Sequence, residues 1–169
     1  GLAVHKELLR AKHQIVAALE ATQCIGGVWC SRPEAPNTSR MYDSLRPNLP
    51  PHVMAFPSFP WPRITSKGGD ERVFPNHTEV LAYLRAYGAE LAANIRFNEA
   101  AVSVVRNVPG GVNGGGGSKS VAEGTADPSI TSSARWTVRT SSGNIFEADA
   151  LVVCNGHYHT PGWPTLAAP

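Results

Sequence analysis

The sequence has few cysteines, no long apolar segment and almost no excess of charge. Three of its 169 residues are cysteines, Cys24, Cys30 and Cys154, and no two form a C-x-x-C pair. We therefore expect free thiols in a reducing compartment, which for this chain means the cytoplasm. A net charge of +2 gives no reason to expect nucleic acid or an anionic membrane as a partner. No apolar run approaches the ~20 residues of a membrane span.

An acidic residue followed by a glycine pair is the most informative feature that is present. The apolar run from Ile15 to Leu19 predicts a short buried strand, and Glu20 follows it. A carboxylate at the end of a strand can accept hydrogen bonds from ribose hydroxyls. Gly26-Gly27 would let backbone amides approach a phosphate. Together they predict a dinucleotide site, although a surface acid and a plain turn are simpler explanations of each part, and Trp29 could pack on a cofactor or in the core.

The chain begins with a predicted helix, whereas a dinucleotide fold begins with a strand and a glycine turn. Apolar residues recur at helical spacing from Leu2 to Ala11. Gly1 then stands where the third glycine of Gly-x-Gly-x-x-Gly belongs, about 20 residues before the expected acid. We therefore expect an α/β, doubly wound domain that is incomplete, its first strand being absent from this chain.

The rest of the chain predicts a second helix, a loop region and a small β-meander. Asn76 and Glu79 fit a capping box before a helix that runs to Leu91. Strands are expected over 101–108, 135–140 and 144–147, with a buried strand over 150–154. The segment 31–75 is expected to be an ordered loop region, and 109–133 a flexible Gly/Ser-rich insert.

Several further residues are weaker candidates for a functional role. The aromatic residues between Phe56 and Trp61 favour packing onto the core over contact with a substrate. His157 and His159 have no acidic or cysteine set around them, so we expect no metal site. Cys154, inside an apolar run, is expected to be inert core.

Six segments in the right order resemble the flavin-containing monooxygenase family, which includes the N,N-dimethylaniline monooxygenase type. The Tyr/Ser/Leu/Asn/Leu/Pro spacing is similar to that of the fungal and plant-type branches of the family. The resemblance covers nearly the whole chain except the Gly-rich insert. It is carried by 19–29, 41–50 (MYDSLRPNLP), 54–62 (MAFPSFPWP), 74–85, 95–98 (IRFN) and 152–158 (VVCNGHY). It implies that the chain is part of an FAD-binding Rossmann-like domain.

The resemblance also implies the roles of particular residues. Glu20 would bind the FAD ribose, and Asn48 would lie beside the flavin ring and NADP as the catalytic residue. Val102 would touch adenine through its backbone. The remaining residues implied to bind cofactor are Gly1, Gly27, Val28, Trp29, Pro47 and Leu49.

The activity implied is oxygenation of small-molecule nitrogen or sulfur nucleophiles with FAD, NADPH and O₂. The family's NADP-binding domain is expected to be absent from 1–169, so this chain alone is expected to be inactive. A Baeyer–Villiger or N-hydroxylating relative, or a non-catalytic remnant of a flavin fold, remains an alternative. The substrate and the oligomeric state are left open.

Overall fold

The computed structural model describes residues 1–30, 41–62, 74–107 and 135–156. These residues divide into two compact units. The first unit comprises Gly1–Gln23 and Leu91–Cys154, and the second comprises Cys24–Glu90 with residues 155–156. The predicted insert 109–133 and the two histidines His157 and His159 lie outside the described residues.

The first unit opens with the predicted helix, α1 (Leu2–Arg10). The helix ends because Lys12 takes a left-handed conformation with φ of 60°. The Lys12 N–H then donates to the Leu9 carbonyl, and the His13 N–H donates to the Leu8 carbonyl, each at 2.9 Å. These are the two bonds of a Schellman motif, which satisfies the last carbonyls of a helix.

A pair of short parallel strands follows in the same unit. β1 (Ala18–Leu19) pairs with β2 (Ile95–Arg96) in the register Ala18↔Ile95 and Leu19↔Arg96. The predicted strand from Ile15 is therefore too long, and its residues are not fully buried, since Val16 is 48% exposed. A parallel pair needs a long crossover connection, and here the connection contains the whole of Cys24–Glu90.

A three-stranded antiparallel sheet completes the first unit and confirms the predicted β-meander. Its strands are β3 (Ala101–Arg106), β4 (Trp136–Thr140) and β5 (Ile145–Ala148), in that order across the sheet. The β4–β5 hairpin turns at Gly143, where φ is 87°. Glycine adopts this backbone conformation without the steric cost of a Cβ.

The second unit is built around α3 (His77–Gly88). A 3₁₀ helix, Ala89–Asn94, follows it in the chain, and its residues from Leu91 on belong to the first unit. The predicted capping box is present, because the Asn76 side chain accepts from the Glu79 N–H at 2.9 Å and the Glu79 carboxylate accepts from the Asn76 N–H at 2.7 Å. The buried face of α3 presents Val80, Tyr83 and Tyr87. A short helix, α2 (Pro51–Met54), precedes it in the chain.

The aromatic loop after α2 packs on α3, as the core-packing interpretation predicts. Phe56 stacks on Tyr87 with ring centroids 3.9 Å apart, and Trp61 stacks on Tyr83 at 4.0 Å. The Tyr83 hydroxyl accepts from the Phe56 N–H at 2.8 Å and donates to the Phe59 carbonyl at 2.6 Å. Both stacking and hydrogen bonding therefore fix this loop.

Two predictions about the end of the described chain are wrong. Residues 150–154 form no strand, and Val152 and Val153 are 54% and 71% exposed. An apolar run becomes a buried strand only where a neighbour takes up its backbone hydrogen bonds, and none of the described strands does so here. Cys154 is accordingly an exposed free thiol and not inert core.

Candidate functional site

Glu20 stands directly after β1, where the sequence predicts a ribose-binding acid. Its N–H donates to the Arg96 carbonyl at 2.9 Å, and its carbonyl accepts from the Glu99 N–H at 3.0 Å. One carboxylate oxygen, Oε1, accepts from the Thr22 N–H at 2.8 Å. The backbone on both sides and the carboxylate itself are therefore oriented before any ligand arrives.

Gly1 and Val102 also lie in the first unit. Gly1 is the N-cap residue of α1, and no side chain caps that helix end. A Cβ built on Gly1 would meet only the Cys154 Cβ, at 3.8 Å, which is an ordinary contact. Close packing therefore does not require glycine at this position.

Val102 occupies an irregularity of β3, where the register shifts between Ala101 and Ser103. A bulge of this kind leaves one residue outside the regular ladder, so its backbone groups can meet another partner. The Val102 side chain is 53% exposed. This arrangement suits a contact made through the backbone.

The glycine pair lies in the second unit and its members differ in what surrounds them. Gly26 has φ of 135°, and a Cβ there would come within 2.4 Å of the Leu81 Cδ1 on α3. Gly27 has φ of 55°, and no heavy atom of the described residues would lie within 4 Å of its Cβ. Gly26 thus serves packing against α3, whereas Gly27 leaves open space beside the backbone.

The residues after the pair form a 3₁₀ turn, Gly27–Trp29. The Trp29 N–H donates to the Gly26 carbonyl and the Cys30 N–H donates to the Gly27 carbonyl, both at 3.1 Å. Val28 is 39% exposed and Trp29 is half-buried. A half-buried ring is compatible with either of the two roles predicted for Trp29.

A disulfide joins Cys24 to Cys30 and encloses the glycine pair. The expectation of free thiols is therefore wrong for these two cysteines. Their Cα atoms are 6.8 Å apart, which lies at the upper end of the usual range for a disulfide. Sequence reasoning dismissed the pair because it fits neither a C-x-x-C motif nor a framework of several bridges.

Asn48 lies in a bend before α2, and its side chain is exposed. Pro47 and Pro50 restrict the backbone around it, since proline fixes φ near −65°. Leu49, beside it, is 46% exposed. The bend thus presents a polar amide and an apolar side chain at neighbouring positions on the surface of the second unit.

Glu99 is a buried acid that sequence reasoning missed. Its Oε1 accepts hydrogen bonds from the Thr140 and Ser142 hydroxyls and from the Asn144 amide, the last at 3.0 Å. The bonds from Ser142, then Thr140, then Asn144 lower the pKa of Glu99 below its ordinary value. The donors come more than 40 residues later in the chain, so no local pattern announces the cluster.

The predicted residues fall into two groups. Gly1, Glu20 and Val102 are in the first unit, and the second unit holds Gly27, Val28, Trp29, Pro47, Asn48 and Leu49. Within the described ranges, no group of three or more histidine, cysteine or acidic residues is close enough to hold a metal ion. In the same ranges, no helix has the length and hydropathy needed to cross a membrane.

Comparison with known proteins points to one kind of enzyme. The chain is 36% identical to flavin-containing monooxygenase FMO GS-OX2 of Arabidopsis thaliana over 194 residues, which is 97% of this chain and 36% of that protein. It thus spans about a third of the length of such relatives. No protein-family model matches it. Among solved structures, S-allyl-L-cysteine S-oxygenase from Allium sativum superposes with a TM-score of 0.68 at 31% identity, over 95% of this chain and 35% of that one.

A more distant structure shows the same fold. A steroid monooxygenase bound to NADP gives a TM-score of 0.57 at 24% identity, over 92% of this chain and 24% of that one. The mixed helices and strands described above thus match part of the Rossmann-type FAD fold of flavin monooxygenases. The chain is a homologue of the flavin-containing monooxygenases, as its sequence motifs predict.

Proposed function

We propose that this chain supplies part of the FAD-binding site of a flavin-dependent monooxygenase that uses NADPH and O₂. The observation that carries the proposal is the state of Glu20, whose backbone and carboxylate are both held in place at the end of β1. The bond from the Thr22 N–H is the one that reaches the side chain, and it orients a carboxylate that a purely solvated acid would leave free to rotate. A carboxylate fixed at a strand end suits the paired hydroxyls of a ribose.

The chemistry of the remaining residues fits the same cofactor. The open space at Gly27 allows a phosphate to approach the backbone without meeting a Cβ. The N-terminus of α1 presents the backbone N–H groups of its first turn, which favour an anion. The bulge at Val102 leaves backbone groups for a base.

Bound FAD would supply the redox chemistry, and the residues of this chain would bind and orient it. In this proposal the Asn48 amide N–H would donate toward the place where negative charge develops on oxygen. The two prolines around Asn48 would fix the position of that donor. A fixed amide donor stabilises the negative charge without giving up its proton. Leu49 and Trp29 would exclude water from the isoalloxazine ring.

The substrate proposed is a small molecule with a soft sulfur or nitrogen nucleophile. Sulfur is favoured, because the structure matched at 31% identity is an S-oxygenase that acts on S-allyl-L-cysteine. Oxygen transfer to a thioether needs no acid or base on the substrate, only a dry and well-placed oxygen donor.

The test is a titration of the protein with FAD in which binding is measured by flavin fluorescence. Glu20→Ala should weaken binding by about tenfold or more, since hydrogen bonds to a charged group contribute roughly 1.5–3 kcal/mol. Glu147→Ala, which removes an exposed acid of β5, is the matched control and should bind like the unchanged protein. FAD affinity equal in all three proteins would remove Glu20 from the site, and no binding to the unchanged protein would refute the proposed function itself.

The role of Asn48 needs a separate readout. In a full-length enzyme that contains this chain, Asn48→Ser should leave FAD bound but lower oxygenated product by on the order of a hundredfold, because a fixed donor at a charged transition state contributes about 2.7–4 kcal/mol. NADPH oxidation should continue and release hydrogen peroxide. An unaltered ratio of product to peroxide would make Asn48 a turn residue only.

A further inference from the structure

The Glu99 cluster is a polar arrangement among the described residues of the first unit that the proposed function does not use. We propose that Glu99 is a positioning residue for FAD, which transmits the position of the β4–β5 turn to the ribose-binding acid Glu20. The inference rests on the proposed function of Glu20. It adds a residue that contacts no cofactor.

The first step is the attachment of Glu99 to the turn. A single carboxylate oxygen collects donors from Thr140, Ser142 and Asn144, and the turn is tied again at the next residue. There the Ala100 N–H donates to the Ser141 Oγ at 3.2 Å, and the Ser141 N–H donates to the Ala100 carbonyl at 2.8 Å. The main chain at 99–100 therefore cannot move independently of the turn.

The second step is the attachment of Glu99 to Glu20. The Glu99 N–H donates to the Glu20 carbonyl at 3.0 Å, and the Asn98 N–H donates to the Thr22 carbonyl at 2.9 Å. Thr22 is also the residue whose N–H holds the Glu20 carboxylate. Two of the three contacts that hold Glu20, the one on its carbonyl and the one on its carboxylate, thus continue within two residues into the segment that Glu99 fixes.

The side chain at position 99 must be an acid for its oxygen to hold the three donors of the turn. Three donors on one oxygen are satisfied most strongly by an ionised carboxylate, because charge-assisted hydrogen bonds are roughly twice as strong as neutral ones. Arg96, at the end of β2, adds a favourable charge. A glutamine would keep the oxygen but lose the charge, and an alanine would leave the donors without their acceptor.

The experiment measures FAD affinity in a double-mutant cycle. Glu99→Ala should weaken FAD binding by about tenfold, Glu99→Gln should weaken it less, and Ser142→Ala, which removes one donor from an exposed turn, should weaken it least. In a Glu20→Ala background the same three changes should have no further effect, because each acts through Glu20. Glu147→Ala is the control in both backgrounds.

The outcomes are distinct for the two levels of inference. If Glu99 is only structural, its variants lower the melting temperature but leave FAD affinity at a permissive temperature unchanged, and the inference is overturned. Losses of affinity that persist in the Glu20→Ala background overturn it as well. Should Glu99→Ala not fold, Ser142→Ala decides the question alone. If the unchanged protein binds FAD and Glu20→Ala binds it equally, Glu20 lies outside the site and the inference is overturned with it, whereas no binding of FAD to the unchanged protein refutes the proposed function instead.

Discussion

The two glycines of the pair are adjacent in sequence, yet the structure predicts that they respond differently to the same substitution. The backbone at Gly26 has φ of 135°, and a Cβ there would lie 2.4 Å from the Leu81 Cδ1. The backbone at Gly27 has φ of 55°, and a Cβ there would meet no heavy atom of the described residues within 4 Å. Replacing each glycine with alanine therefore separates packing from ligand approach.

The magnitudes follow from backbone strain and from the clash. Alanine in the left-handed region costs roughly 1–2 kcal/mol, which is the expected loss for Gly27→Ala. The backbone conformation of Gly26 lies further than that of Gly27 from any region that alanine favours. Holding alanine in it costs about 1–3 kcal/mol. Moving the end of the Leu81 side chain out of its rotamer adds about 0.5–1.5 kcal/mol. We therefore expect Gly26→Ala to lose about 1.5–4.5 kcal/mol of unfolding free energy.

The assay pairs thermal unfolding with FAD titration. Gly26→Ala should lower the melting temperature by on the order of 10 °C and Gly27→Ala by about half of that. FAD affinity, measured well below both transitions, should fall by about tenfold for Gly27→Ala and change little for Gly26→Ala. The loss of FAD affinity in Gly27→Ala is expected because the added methyl group lies in the path of a phosphate.

Leu81→Ala supplies the control for the clash. In that background Gly26→Ala should cost less than in the unchanged protein, because the atom that it strikes has been removed. Equal stability losses for the two glycine variants, or a strictly additive double variant, would refute the assignment of Gly26 to packing against α3.

Three further predictions concern the parts of the chain around these sites. Tyr83→Phe removes the hydroxyl that bridges two backbone groups of the aromatic loop, so it should cost about 1–3 kcal/mol in denaturant unfolding, whereas Tyr42→Phe, at an exposed ring, should cost nothing measurable. Reduction of Cys24–Cys30 should lower stability by about 2 kcal/mol, the closure entropy of so short a loop, and a Cys24→Ser protein should not respond to the reductant. Because the pKa of Glu99 is lowered in the folded state, its contribution to stability is complete above its ordinary pKa and is lost as the pH falls through the lower folded value; acid unfolding of Glu99→Gln should lack this component, and identical acid profiles would contradict it.

Local signals predicted the elements that local interactions stabilise. The capping box of α3 depends on two residues three positions apart, and the β4–β5 hairpin on a turn glycine, so both are legible in sequence. The predicted strand over 150–154 is wrong because strand formation depends on a hydrogen-bonded neighbour, which apolar content does not reveal.

The candidate site could likewise be predicted from the sequence only where neighbouring residues form the pattern. Glu20 and the glycine pair have the spacing of a nucleotide site. The structure shows that the Glu20 carboxylate is held, that a Cβ at Gly26 would strike Leu81, and that Gly27 has open space beside it. The Glu99 cluster was not predicted, because its acceptor and donors are brought together only by the meander. The Cys24–Cys30 bridge was missed because short-range cysteine spacing alone does not distinguish a bridge from two thiols.

The parallel pairing of β1 with β2 has a consequence for the order in which the protein folds. The two strands are two residues each, and everything from Cys24 to Glu90 separates them in sequence. Closing so long a loop costs entropy before any contact repays it, so contacts of this kind form late. The helix α3 and the β4–β5 hairpin need no such closure. The contacts that hold Glu20 are therefore expected to be the last to form and the first to exchange their amide hydrogens with solvent.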